Sequence, residues 1–223
     1  MPTFFQHALA CLLLMLWAGG APAQQLTPDS PDPVPQALAH MLSELVAAAE
    51  TGEAAAIAPY LSQDALAGFG SDGGPKAFLQ DWGDSSGANR FARLAQELRH
   101  AIAAGGTRID ATSYQFPFYT EITHANVDPL QVGWLTPKAK LRGLDRAPAG
   151  EAAPSGESVF CADMLCRKGD EAGGHTLTQV VRHDGRNVLV RGRDVTAVLE
   201  VYRLLVERTP DGPWQVSLFL AGD

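Results

Sequence analysis

Residues 199–220 read Leu199-Glu200-Val201-Tyr202-Arg203-Leu204-Leu205-Val206-Glu207-Arg208, then Thr209-Pro210-Asp211-Gly212-Pro213, then Trp214-Gln215-Val216-Ser217-Leu218-Phe219-Leu220. In the last run Trp214, Val216, Leu218 and Leu220 alternate with Gln215 and Ser217. A period of two puts those apolar residues on one face of a strand. The five residues between the runs carry two prolines, an aspartate and a glycine, the residue types that turn a chain. The stretch therefore reads as an antiparallel hairpin with one greasy face. That face must be covered, and the cover has to come from upstream.

The upstream half supplies helices. Leu38, Met41, Leu42, Leu45, Val46 and Ala49 fall on one helical face behind Pro35, and Gly52 is a natural stop. An alanine-rich stretch over 53–58 ends before Pro59, and 62–67 reads as one or two further helical turns. Pro75 opens a short helix carrying Phe78, Leu79 and Trp82. A longer helix over 89–104 presents Phe91, Leu94, Ala95, Leu98 and Ile102 before Gly105-Gly106 ends it. Beyond Gly106 the pattern turns extended. Residues 109–119 read as a strand with Pro117 at an edge or bulge. Shorter strands are expected at 132–135 and 138–141, and 146–156 reads as a Pro/Ala/Gly loop. Residues 176–182 and 187–191 flank Asp184-Gly185, a dipeptide that favours a tight hairpin turn. The expected fold class is α+β, an N-terminal helical layer packed on an antiparallel sheet with a small β module. The helical unit and first strand span 36–126 and are completed by 196–223; the module spans 127–195. Burying one large side chain of the terminal hairpin contributes about 1.5–3 kcal/mol.

The N-terminus reads as an address. Ala8-Leu9-Ala10-Cys11-Leu12-Leu13-Leu14-Met15-Leu16-Trp17-Ala18 is an apolar run followed by Gly19-Gly20 and the small-x-small triplet Ala21-Pro22-Ala23. It is shorter than the roughly 20 residues a membrane span needs. Residues 1–23 are thus expected to be a signal peptide, and the protein periplasmic or secreted. Residues 24–35, with Pro28, Pro31, Pro33 and Pro35, are expected to be an exposed linker. No second apolar run is long enough to span a bilayer, so an integral membrane protein is not expected. The net charge of -8 and the interspersed acids and bases argue against a nucleic-acid partner.

After signal removal two cysteines remain, Cys161 and Cys166. In an oxidising compartment two thiols this close are expected to pair as a structural staple. The C-x4-C spacing is not that of a thioredoxin-like redox motif. A metal site with His175 or His183 is disfavoured, because zinc wants three or four ligands at tighter spacing.

The run Gln179-Val180-Val181-Arg182-His183-Asp184-Gly185-Arg186-Asn187-Val188-Leu189-Val190-Arg191-Gly192-Arg193-Asp194-Val195 resembles the closing part of bacterial SH3-like modules. There a strand, an Asp-Gly turn and a second strand end a small barrel. Residues 68–82 and the ending Val201-Tyr202-Arg203 … Asp211-Gly212-Pro213-Trp214-Gln215-Val216-Ser217-Leu218-Phe219-Leu220-Ala221-Gly222-Asp223 look like a group of exported bacterial proteins that carry such a module before a C-terminal hairpin. The resemblance implies a cell-wall or envelope protein partner.

Catalytic patterns are weak. Gly68-Phe69-Gly70-Ser71-Asp72-Gly73 spells G-x-G-x-x-G, but helical turns are expected before it and Arg93 stands where an acid should follow. It reads as a loop between helices. Asp163, Asp170, Glu171 and His175 read as a solvated loop rather than a cation site. Asp81, Asp84 and His124 are the side chains a hydrolase would need in a cleft. The leading expectation is a non-enzymatic envelope binding module for a peptide, glycan or protein, with no cofactor and no metal. Trp134, Arg191 and Arg193 are its candidate contact residues. An envelope hydrolase and an accessory or scaffolding subunit are the alternatives.

Overall fold

The computed structural model describes residues 26–28, 30–68, 72–83, 89–123, 126–137, 139–144, 148–152, 156–161, 177–209 and 211–221. The fold is α+β. In chain order the helices are α1 (Gln36–Thr51), α2 (Ala54–Ile57), α3 (Gly74–Trp82) and α4 (Ala92–Ala103). The strands of one sheet are β1 (Leu61–Leu66), β2 (Thr107–Arg108), β3 (Ser113–Phe116), β11 (Arg203–Arg208) and β12 (Trp214–Leu220), in the order β1-β12-β11-β3-β2. The other sheet holds β4 (Val132–Leu135), β5 (Lys140–Arg142), β6 (Pro148–Ala152), β7 (Glu157–Cys161), β8 (Leu177–Arg182), β9 (Asn187–Arg191) and β10 (Val195–Ala197), in the order β10-β4-β7-β8-β9-β5-β6.

α1 forms where its apolar stripe and its punctuation agree. Pro35 precedes it, and Gly52 closes it at φ 78°, donating its N–H to the Ala49 carbonyl. A side chain would be strained there. Leu38, Leu42, Leu45 and Ala49 of α1 pack with Leu94, Ala95 and Leu98 of α4 and with Leu204, Val206, Trp214, Val216 and Phe219 of the terminal hairpin, in one continuous core. The helices do cover the greasy face of β11 and β12.

Four sequence expectations are corrected. Residues 62–67 are not helical. They belong to β1, which runs parallel to β12 with Leu61 opposite Val216 and Leu66 opposite Leu218. Leu61 and Ala65 are the buried pair, four apart, and that spacing imitates one helical turn. Pairing to a central strand overrides the local pattern. The glycine-rich loop therefore follows a strand, not helical turns. The first residue of α3, just after it, is a close-approach position: Gly74 has φ +86°, and a Cβ there would lie 2.9 Å from the Gln63 carbonyl. Residues 109–119 are not one strand. Asp110 accepts from the Thr112 N–H (2.7 Å) and hydroxyl (2.9 Å), folding the chain back between β2 and β3. β3 then stops at the cis Phe116–Pro117 bond, where proline offers no ladder donor. The expected loop over 146–156 contains β6, paired to β5. The strand expected to begin near Leu199 begins at Arg203, because Val198–Glu200 forms a 3-10 turn that buries Val198 and Leu199.

β12 carries a bulge. β11 and β12 pair antiparallel with Leu205 opposite Leu218, then Val206 opposite Val216, so Ser217 is extra. Its hydroxyl donates to the Leu205 carbonyl at 3.4 Å. One inserted residue moves the inward face from Leu218 to Phe219. Phe219 is fully buried, whereas Leu218 is half-buried.

The second sheet encloses its own core of Leu135, Ala139, Leu141, Val159, Cys161, Val180, Val188, Val190, Val195 and Ala197. The β8–β9 hairpin forms at the expected place. Arg182 and Arg186 close a three-residue loop, with Gly185 at φ 80°. Asp184 accepts from the Arg186 N–H (3.0 Å) and Nε (2.6 Å). Partial desolvation raises its pKa, but those bonds and the charges of Arg182 and Arg186 outweigh it and hold the carboxyl below its ordinary value. Arg182 and Glu157 form a buried bidentate pair, 2.7 Å in both arms.

The stretch expected as an exposed linker is exposed at 30–33 and 35, buried at Leu26 and Thr27, and pinned as a strap. Leu26 is 6 % and Thr27 1 % exposed. The Leu26 N–H donates to Ser158 Oγ (3.3 Å), and its carbonyl accepts from the Thr123 N–H (2.9 Å). Asp32 donates its N–H to the Gly106 carbonyl and accepts from Thr107 Oγ1 and the Arg108 N–H. Tyr114 Oη donates to the Pro33 carbonyl. The strap bends at Thr27 and Ser30, and its backbone polar groups find partners along both sheets.

Candidate functional site

The concave site described by the structure lies between α1 and α4. Ala39, Leu42, Ser43 and Val46 form one stripe of α1, and Arg99, Ile102 and Ala103 one stripe of α4. Val34 closes one end, and Phe116 of β3 forms part of the lining. The volume is about 540 Å³, within the range of roughly 300–1,000 Å³ typical of ligand pockets. The groove exists because small residues, Ala39, Ser43 and Ala103, stand beside the core stripe of each helix. Phe116 is held rigidly behind it: a Cβ on Gly106 would sit 2.5 Å from Cε1 of that ring. Gly106→Ala therefore has no room without moving the ring.

The lining is seven apolar side chains, one hydroxyl and one guanidinium. Arg99 pairs with Glu50 across the two helices, both half exposed. Among the described residues no carboxylate, imidazole or thiol lines the groove. Such a lining can hold an apolar surface. In the sequence Leu42, Val46 and Ile102 read as core residues, and the groove is not legible there. Its signal was the small residues at helical spacing next to that stripe.

The three candidate contact residues are placed in separate surroundings among the described residues. Trp134 is 6 % exposed. It stacks on Tyr119 (5.3 Å between centroids, 9° between planes) and meets Phe118 edge-on (5.2 Å). Gly156 backs it, since a Cβ there would lie 2.8 Å from its ring. Trp134 thus packs at the junction of the two sheets, between Phe118, Tyr119 and Gly156. Arg191 ends β9 opposite Leu177. Arg193 lies on the next 3-10 turn, largely exposed and 3.8 Å from Asp194. No hydrogen bond or ring contact joins these three among the described residues.

The other candidates fare as follows. Asp81 is exposed on α3 and does not line the groove. Asp84, His124, Cys166, Asp163, Asp170, Glu171 and His175 lie outside the described residues. Cys161 is fully buried in β7 opposite Val180. Among the described residues no three His, Cys, Asp or Glu side chains converge on a metal position. No helix of the described residues is long and apolar enough to cross a membrane.

Two groups beside the junction are electrostatically perturbed. Burial pushes the Tyr119 phenol and the Glu121 carboxyl above their ordinary values. For Glu121 the sign is that of a carboxyl protonated more readily in the folded chain than in the unfolded one. Its contribution to stability is highest at acid pH and is lost as pH rises through the raised value. Glu121→Gln is expected to flatten that decline in a series of urea melts across the acid range; an unchanged slope would remove Glu121 as its source.

The chain matches no protein-family model, no curated protein and no solved structure.

Proposed function

We propose that this chain is an exported cell-envelope protein that acts by binding a protein or peptide partner, and that the α1–α4 groove is where the partner docks. The export reading is supported by the apolar run and small-x-small triplet before Gln24. It carries with it a Cys161–Cys166 staple at the end of β7. The resemblance to bacterial SH3-like modules supports an envelope partner.

The observation that carries the binding reading is the groove lining, apolar around a single cation. An amphipathic helix laid along two helices uses such a groove. Residues 24–126 hold twelve acidic and five basic side chains, so the favoured partner segment has an apolar stripe flanked by Lys or Arg. A docked protein partner also fits the accessory-subunit role.

Two measurements test this. N-terminal sequencing of protein from the native host should begin near Gln24 in the envelope fraction; an intact Met1 in the cytosol overturns export. A fluorescent Leu/Lys amphipathic peptide should bind saturably, and Val46→Glu should weaken it at least about tenfold while the far-UV dichroism stays unchanged. Equal binding by a folded Val46→Glu variant removes the groove as the site.

A further inference from the structure

The strap shows the β module and its junction already holding a peptide. Leu26 sits in a pocket walled by Val132, Val198, Ile122, Val127 and Phe160. Val132 and Phe160 belong to β4 and β7, so two walls are sheet and not loop. The occupant bends at Thr27, directly after its anchor residue. Its amide donates to one side chain, Ser158 Oγ, and its carbonyl accepts from one backbone N–H, that of Thr123. None of these contacts depends on covalent connection to the rest of the chain. Any segment with an aliphatic side chain at the anchor position and a small residue that allows the bend after it makes the same set.

The strap has a second, separate anchor. Its second anchor, Asp32 with Gly106, Thr107 and Arg108, lies four residues beyond Pro28 and is independent of the Leu26 pocket. Displacing Leu26 and Thr27 would leave the contacts of Asp32 intact.

We propose that the Leu26 pocket is an acceptor for a peptide with an aliphatic anchor residue, and that the protein's own strap holds it closed in cis until a partner's segment displaces it. A tethered occupant competes at an effective concentration of about millimolar, so a partner must bind more tightly than that to enter. This site shares no residue with the α1–α4 groove, and either proposal stands if the other fails.

The probe is the synthetic peptide Gln-Gln-Leu-Thr-Pro-Asp-Ser, the sequence of residues 24–30. Added to the full-length Leu26→Gly variant, it should bind saturably and raise the melting temperature. It should bind wild type at least about tenfold more weakly, because the resident strap competes. The same peptide with Gly in place of Leu should not bind. A folded Leu26→Gly variant that ignores the peptide overturns the proposal. Hydrogen exchange on the wild type decides independently of whether that variant folds. The Leu26 and Thr123 amides should exchange through local opening, well ahead of the β11 amides. If they exchange only with global unfolding, the strap never vacates and the acceptor reading is lost.

Discussion

Glu157→Ala should cost the protein about 3–5 kcal/mol, the loss expected when one member of a buried ion pair is removed. The pair is enclosed, with the Arg182 side chain 8 % and the Glu157 side chain 11 % exposed. Both arms of the guanidinium fork are engaged at 2.7 Å, the bidentate geometry that makes such bonds strong. Glu157 stands opposite Leu135, and Arg182 opposite Val159, so the charges sit beside an apolar core. Without its carboxylate the fork stays in that low-dielectric place. The diagnostic is the double variant Glu157→Leu with Arg182→Leu, which removes both charges. Urea melts should place it well above the single variant and close to wild type, because desolvation nearly cancels the attraction of the intact pair. High salt should leave the wild-type midpoint nearly unmoved, since enclosed charges are poorly screened. A single variant as stable as wild type would show the pair to be solvated and loose.

Phe219→Ala is the second large effect, also about 3–5 kcal/mol, the cost of a big ring removed from a closed core. Phe219 is fully buried. It stacks on Trp82 at 5.0 Å and tilts against Tyr202 at 5.4 Å. Leu218→Ala, one residue earlier, should cost about 1 kcal/mol or less, in keeping with half-buried positions. The contrast tests the bulge directly. If Ser217 were not an extra residue, the two losses would change places. Paired thermal melts of the two variants read the difference.

That contrast also marks where sequence reasoning stops. Alternation from Trp214 through Val216 is right, and the helices with sharp caps at Pro35 and Gly52 lie where their stripes put them. The β8–β9 hairpin was legible because Asp184-Gly185 carries local turn chemistry. The bulge is invisible, because Ser217 is an ordinary polar residue in an alternating run and only pairing with β11 makes it surplus. β1 was read as helix for a related reason: Leu61 and Ala65 are spaced for either structure, and the partner that decides lies about 150 residues away. The strap was hidden by its own composition. Four prolines look like a linker, and nothing local says that Asp32 and Leu26 have partners waiting on distant strands. Trp134 was an aromatic near a strand end; that Phe118 and Tyr119 would cover it is a long-range fact.

The connectivity has a consequence for how the chain folds. β3 and β11 are neighbours in the sheet, yet the whole second sheet lies between them in sequence. That insertion leaves and returns at adjacent points, with Ala197 opposite Gly133. Closing a long loop is entropically unfavourable, and contacts of high sequence separation form slowly. Once the inserted sheet has formed, most of that loop no longer counts, and Phe116 and Leu204 are delivered to each other across a short neck. The inserted sheet is then the step that sets the tempo, and the refolding limb of the Glu157→Ala variant should be slowed even when it is read from the tryptophans packed on α3 and β12.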